Sequence, residues 1–239
     1  MDGIVLQDVH VDLGGKRVLS GLSLYLTEPR IGILGRNGSG KSTLLRLMAG
    51  LIAPSSGTVR VAGLDPARER KAMLDKIGIL FQNPDHQILF PTVIEELSFG
   101  LRQMGQTRAE AEAKVHAALA AEGRAHWQTA PTHRLSQGQR QFLCLLAVLL
   151  MAPETLLLDE PFAGLDLPTQ VRLSRRLQGL SQRLVTISHD PAAAAECQRV
   201  IWLEAGQIRA DGPARPVIAE FTAEMARLGA ADADTDLFG

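Results

Sequence analysis

The stretch Gly35-Arg36-Asn37-Gly38-Ser39-Gly40-Lys41-Ser42 constrains this chain more than any other. It fits G-x-x-x-x-G-K-[ST] and stands between a short apolar run, Ile31 to Leu34, and a segment from Lys41 to Ala49 whose Leu44, Leu45, Leu47 and Met48 suit a helix that Gly50 can end. Strand, glycine loop and helix in that order point to an α/β architecture. Gly35, Gly38 and Gly40 let the backbone curl so that successive N–H groups converge on a phosphate, with Asn37 and Ser39 carried on the same curl, and the helix start adds its positive dipole end. Lys41 supplies a mobile full charge for β- and γ-phosphates, the Ser42 hydroxyl is placed to ligate Mg²⁺, and Thr43 is in reach of an α-phosphate. The expected ligand is a nucleoside triphosphate.

At 239 residues and 46% hydrophobic content the chain can bury a sizeable core as one large domain or two modest lobes. A formal net charge of -1 leaves no basic surplus to draw the whole chain to nucleic acid or anionic lipid. Cys144 and Cys197 fit no metal-ligand spacing and are expected as reduced thiols in the cytosol. Met1-Asp2-Gly3-Ile4 does not open like a secretory signal. The most apolar run, Phe142 to Met151, is half of the roughly 20 residues a membrane helix needs, so a membrane role has to pass through a partner.

Short alternating runs at Ile4 to Leu6, Val9 to Leu13, Leu22 to Leu26 and Ile31 to Leu34 give a strand-rich opening, with turns at Gly14-Gly15 and Glu28-Pro29. Pro54-Ser55-Ser56-Gly57 is turn chemistry, Ile77 to Phe81 reads as a strand, and Gln82-Asn83-Pro84 breaks it. Between about Gln82 and Gln141 the pattern turns helical, with a capping box at Thr107 to Glu110 ahead of Ala111 to Glu122, and an inserted helical lobe (83–141) is expected between core segments 1–82 and about 142–228 of a single domain. Strand-helix alternation resumes with Leu156 to Leu158, a helix from about Pro168 to Leu180, and Leu184 to Ile187, as a parallel sheet wrapped by helices requires. Val200 to Leu203, Ile208 to Ala210 and a helix near Ala214 to Leu228 follow, and an acidic tail over 229–239 is expected to be disordered.

Leu156-Leu157-Leu158-Asp159-Glu160 is an apolar strand that delivers two carboxylates at its exit, where open α/β sheets hold ligands. Such a run is by itself an ordinary buried strand with a solvated end. Beside a phosphate loop, Asp159 is expected to hold Mg²⁺ and Glu160 to polarise the attacking water as general base. His189 follows the strand ending at Ile187; it is either a merely exposed strand-end histidine or, on the edge that carries the phosphates, a γ-phosphate sensor.

Leu135-Ser136-Gln137-Gly138-Gln139 resembles the signature motif of the ATP-binding-cassette (ABC) ATPases, and the motif order agrees: Gln82 looks like the Q-loop, Ala163-Gly164-Leu165-Asp166 like the D-loop and His189 like the switch histidine. The resemblance implies a P-loop, RecA-like mixed sheet with an N-terminal antiparallel β subdomain and an inserted α-helical subdomain. It also implies ATP hydrolysis with Mg²⁺ by a head-to-tail homodimer, with Ser136, Gln137, Gly138, Gln139 and Asp166 contacting the nucleotide of the other subunit and Gln82 ligating Mg²⁺ or the lytic water. Ser136 with Gln139 three residues on is equally a plain helix cap, and both can hold. Two positions depart from the family pattern. Leu13 stands where many cassettes stack adenine on an aromatic side chain, a contact worth roughly 1–3 kcal/mol per base, and Tyr25 alternates the wrong way to replace it. Gln137 replaces the commonest glycine.

Asn83 to Phe90, followed by Pro91-Thr92-Val93 and Glu95-Glu96, is similar to the stretch after the Q-loop in ATPases of energy-coupling-factor (ECF) vitamin and metal importers. That likeness implies a transmembrane coupling subunit docked on the lobe from Gln82 to about Gly105, a substrate-binding membrane subunit, and a place on the cytoplasmic face of the membrane, with no nucleic acid involved. Biotin is the leading cargo, with cobalt or nickel behind it. A chromosome or repair ATPase would need a coiled coil between Lys41 and Ser136, and a translation cassette a second motif set; this chain has neither. A silent regulatory subunit would have lost Glu160 or His189, and a fused exporter would carry membrane helices.

Overall fold

The computed structural model describes residues 3–230. The chain opens with β1 (Ile4–Leu13) and β2 (Lys16–Leu26), an antiparallel pair joined at Gly14 and Gly15, both at positive φ as a tight hairpin turn requires. The two apolar runs expected before Gly14 form this one strand. Asp8 takes a φ of 45° and donates its amide to Ser23 Oγ at 3.0 Å, so the ladder bulges there without ending.

Next come β3 (Arg30–Leu34), α1 (Lys41–Met48) and β4 (Ser56–Val61). The turn expected at Pro54 to Gly57 runs directly into β4, a strand the sequence pattern did not announce. β4 pairs antiparallel with β1 and buries Val59 and Val61. Gly57 sits across the bulge at a φ of 82°, where a Cβ would lie 2.2 Å from the Asp8 carbonyl oxygen. Together β2, β1 and β4 make a three-stranded sheet in that order.

β5 (Ile77–Leu80) precedes the helical lobe, formed by α2 (Val93–Gln103), α3 (Arg108–Ala121) and the start of α4 (Gln137–Leu150). Thr107 and Glu110 form the expected capping box on α3. The chain then returns through β6 (Thr155–Asp159), α5 (Leu167–Gln178), β7 (Arg183–Ser188), β8 (Arg199–Glu204), β9 (Gln207–Pro213) and α6 (Ala214–Ala230). Gly229 and Ala230 close α6; the rest of the tail expected to be disordered lies outside the described residues. The second sheet has the order β5-β6-β7-β3-β8-β9 and is parallel except for β9.

α1 is wedged between the sheets, touching β2 and β4 on one side and β6 and β7 on the other. Leu44, Leu45, Leu47 and Met48 are fully buried there, each contributing roughly 1.5–3 kcal/mol relative to an exposed side chain. α4 serves two cores at once: Leu145 and Val148 pack with β6 residues, whereas Leu143 and Leu146 pack with Leu97, Val115 and Trp127 of the helical lobe. No helix among the described residues is long and apolar enough to cross a membrane. Gly57→Ala is expected to lower the unfolding free energy by about 2–3 kcal/mol, read from the denaturation midpoint, because its methyl meets backbone that is itself bulged.

Candidate functional site

Parallel register gathers the site. Leu34 pairs with Ser188 and Asp159 with Ile187, so Gly35, Glu160 and His189 leave adjacent strands at the same sheet edge. A cavity of about 380 Å³ opens there, lined by Asn37, Gly38 and Gly40 to Thr43 together with Val18, Gln82, Glu160 and His189. Residues expected from four separate motifs thus meet in one place. Gly35 and Ser39 do not line it. They close the base of the loop, where a Cβ on Gly35 would lie 2.3 Å from the Leu203 carbonyl oxygen and 2.5 Å from Ser39 Oγ. That hydroxyl is buried and has no hydrogen-bond partner among the described residues.

Lys41 is buried, and its ammonium donates to the carbonyls of Gly35 at 2.7 Å and Arg36 at 2.9 Å. Burial pulls its pKa below the ordinary lysine value, while the charges of Glu160, Asp159 and Glu204 pull the other way. Asp159 is displaced in the opposite sense: burial raises its carboxyl pKa and the neighbouring Glu160 adds to this, against a hydrogen bond from Ser42 and the charge of Lys41. Asp159 does not line the cavity but meets the Ser42 hydroxyl, which lines it together with the Gln82 amide, and the three make a set of hard oxygen donors.

Glu160 has a φ of 45°, an uncommon conformation for a side chain of this kind, and its amide is anchored to the Ile187 carbonyl at 2.9 Å. Its carboxylate is turned toward the neighbouring strand. Oε2 accepts from Ser188 Oγ at 2.8 Å, and Oε1 takes the His189 amide at 2.9 Å and meets Nδ1 of the ring at 2.8 Å. Ser188 is therefore a positioning residue that the motif reading passed over. With Nδ1 donating to the carboxylate, a neutral His189 presents Nε2 as an acceptor; it becomes a donor on that side as the imidazolium.

Val18 was not expected either. It lies beyond the hairpin turn on β2, and only the packing of that hairpin over the loop brings it to the cavity. Leu13 is 43% exposed at the turn end of the hairpin, opposite Lys16, whereas Tyr25 pairs with Val5 at the far end and is 48% exposed, facing away from the core as its alternation predicts. Gln87 is a further positioning residue: it accepts from the Phe81 amide at 3.1 Å and donates to the Ile79 carbonyl at 3.2 Å, which sets the exit of β5 into Gln82.

The signature turn lies elsewhere. Ser136 caps α4, accepting from the Gln139 amide at 3.3 Å, while the Gln139 side chain accepts from the Ser136 amide at 2.8 Å. The simple capping reading is therefore true. Asp166 caps α5 by accepting from the Thr169 amide at 2.9 Å, and hydrogen bonds from Thr169 hold its carboxyl below the usual range. Gly138 packs on Thr169 and Gly164 on Gln137, so tightly that a Cβ at either glycine would come within 2.8 Å of its neighbour. Gln137, unusual in type, is thus seated against the D-loop. Ser136, Gly138 and Gln139 line a different cavity, which shares no residue with the one around Lys41.

Comparison with known proteins agrees with this arrangement. A family model described as ABC transporter matches residues 19–163. The biotin transport ATP-binding protein BioM of Rhodobacter capsulatus is 49% identical over 233 residues, which cover 98% of this chain and 100% of that protein. Among solved structures, CbiO1 of Clostridium perfringens, part of the ABC transporter complex CbiONQ, superposes with a TM-score of 0.77 at 30% identity over 95% of both chains. The MJ0796 cassette, seen as a dimer in a post-hydrolysis state with ADP and Pi, gives a TM-score of 0.75 at 26% identity over 89% of this chain and 99% of its own. With the phosphate loop, the paired carboxylates and the signature turn all present on the matching fold, the chain belongs to the ABC transporter family and is an ATP-hydrolysing cassette of it.

Proposed function

We propose that this chain is the ATPase subunit of an ECF-type importer with biotin as cargo, working as a homodimer on Mg²⁺-ATP at the cytoplasmic face of the membrane. Kinship supports the cargo, since the likeness to the biotin transport protein runs through almost the whole chain. The mechanism rests on one observation: the phosphate loop and the signature turn line separate cavities that share no residue, which favours a site completed by a second copy. A cassette related in structure is seen as a dimer bound to ADP and Pi.

Within each half-site, Lys41 exchanges its two loop carbonyls for β- and γ-phosphate oxygens, and the loop amides hold the remainder. Ser42, Asp159 and Gln82 fit a hard divalent cation, and Mg²⁺ when bound supplies positive charge against the phosphates. Glu160 accepts a proton from water as its oxygen bonds to the γ-phosphorus and the bond to the β-phosphate oxygen breaks, leaving ADP and phosphate. Ser188 and His189 keep that carboxylate in place. From the partner copy, Ser136 and the amide of Gly138 reach the terminal phosphoryl group, with Gln137, Gln139 and Asp166 beside them.

Docking of the transmembrane coupling subunit is assigned to the lobe that starts at Gln82. Leu89 is 69% exposed there, the Phe90 and Phe99 rings lie 5.1 Å apart, and the Glu96 carboxylate fixes the segment by accepting the Leu89 and Phe90 amides at 2.8 and 2.9 Å. Exposed apolar side chains on a pinned segment suit a protein partner.

Expression with the membrane subunits and measurement of labelled biotin uptake tests the whole reading; uptake of another cargo instead would overturn the biotin assignment. Lys41→Ala is expected to abolish ATP binding at millimolar nucleotide, measured by equilibrium dialysis. Glu160→Gln should retain binding and lower turnover by about 10²-fold or more. Ser136→Asp preserves the cap on α4 yet sets a negative charge against the phosphoryl group, so ATPase activity should vanish while the melting temperature stays near wild type. Leu89→Glu should prevent recovery of the membrane subunits with the chain, scored by affinity copurification.

A further inference from the structure

The cavity beside the signature turn has a second wall that the hydrolytic reading does not use. It measures about 550 Å³ and separates the helical lobe from α5. Arg124, in the turn after α3, faces it from the lobe; Arg172, Arg175 and Arg176 face it from α5, where the spacing of three and four residues puts them on one helical face. Glu122 is the one carboxylate in the lining.

The three arginines of α5 are exposed, Arg124 is half-buried, and only one of the four has a carboxylate within salt-bridge distance. Arg176 meets Glu122 at 2.6 Å, which satisfies one charge. Arg172 donates to Thr169 Oγ1 at 2.9 Å, and its charge also helps to lower the pKa of the Asp166 carboxyl. The Arg175 guanidinium, exposed on α5, has no hydrogen-bond or ion-pair partner among the described residues. The Arg124 guanidinium lies over two rings, 4.8 Å from that of Trp127 and 4.5 Å from that of Phe142, and its Nε is buried without an acceptor among the described residues. Positive groups converging on one space repel one another unless an anion joins them. Guanidinium forks match the oxygens of a phosphate in pairs.

We propose that this cavity binds a phosphate-type oxyanion bridging Arg124 of the helical lobe to Arg172 and Arg175 of the core. The bound anion touches the wall that also contains Ser136 and Gly138, so it fixes the signature turn relative to α5. Two sources carry this chemistry: free orthophosphate, which hydrolysis produces, and the phosphate group of a free nucleotide. Binding here does not depend on the proposed transport function, although its consequence for turnover does.

Isothermal titration of the full chain carrying Lys41→Ala, in which the phosphate loop is disabled, tests this with orthophosphate, pyrophosphate and AMP as probes. The expected result is saturable binding of at least one probe, weakened at least about tenfold by adding Arg172→Gln and Arg175→Gln, the scale of a lost charge-assisted hydrogen bond. Glu122→Gln, which frees Arg176, should tighten it and serves as the second variant should the arginine pair perturb folding. AMP binding more tightly than orthophosphate assigns the site to nucleotides, and equal or weaker binding assigns it to inorganic phosphate. No saturable heat up to about 10 mM, or an affinity indifferent to both sets of substitutions, overturns the proposal. ATPase assays of the chain with Lys41 intact test the hydrolytic reading separately, so failure of one is not failure of the other.

Discussion

Parallel pairing of β7 with both β3 and β6 is the constraint on which the site depends. It delivers the phosphate loop, Glu160 and His189 from separate parts of the sequence to neighbouring positions, and the ladder fixes their register to a single residue. A slip of one position would move every side chain of β7 to the opposite face and would part Ser188 from the Glu160 carboxylate. The unusual φ of Glu160 belongs to the same arrangement, since its amide finds the Ile187 carbonyl only in that register. Chemistry here is a property of strand ends, and the buried leucines of β6 keep them in place.

α4 carries the second constraint. Its first turn is the signature cap, its middle packs into the helical lobe, and its Leu145 and Val148 are embedded against the core sheet. Force applied to the lobe therefore reaches the core along a continuous helix, and Gln137 against Gly164 and Gly138 against Thr169 join the head of that helix to the segment leading into α5. Cys144 lies inside this helix, and burial pushes its thiol up to about 12, which leaves it an inert packing group.

Much of this was legible in the sequence because the informative residues were local. The glycine loop, the capping boxes at Thr107 and Ser136, and the leucine run before Asp159 each announce their own backbone. What escaped depends on partners distant in sequence. The bulge at Asp8 exists because Ser23 and Gly57 meet it from two other strands, so the chain there looked like two strands and β4 looked like a turn. Val18 reaches the cavity by the tilt of a hairpin. Arg124 and the arginines of α5 are far apart in the sequence, and only the approach of the helical lobe makes them walls of one cavity. Leu89 went the other way: an apolar residue that could have been core lies in solvent.

The clasp of Lys41 on its own loop has a kinetic meaning. An ammonium already held by two carbonyls is never left bare when a nucleotide departs, so the loop keeps its shape between turnovers and arrival of the next triphosphate is an exchange of acceptors. Emptying and refilling such a cradle needs no local refolding.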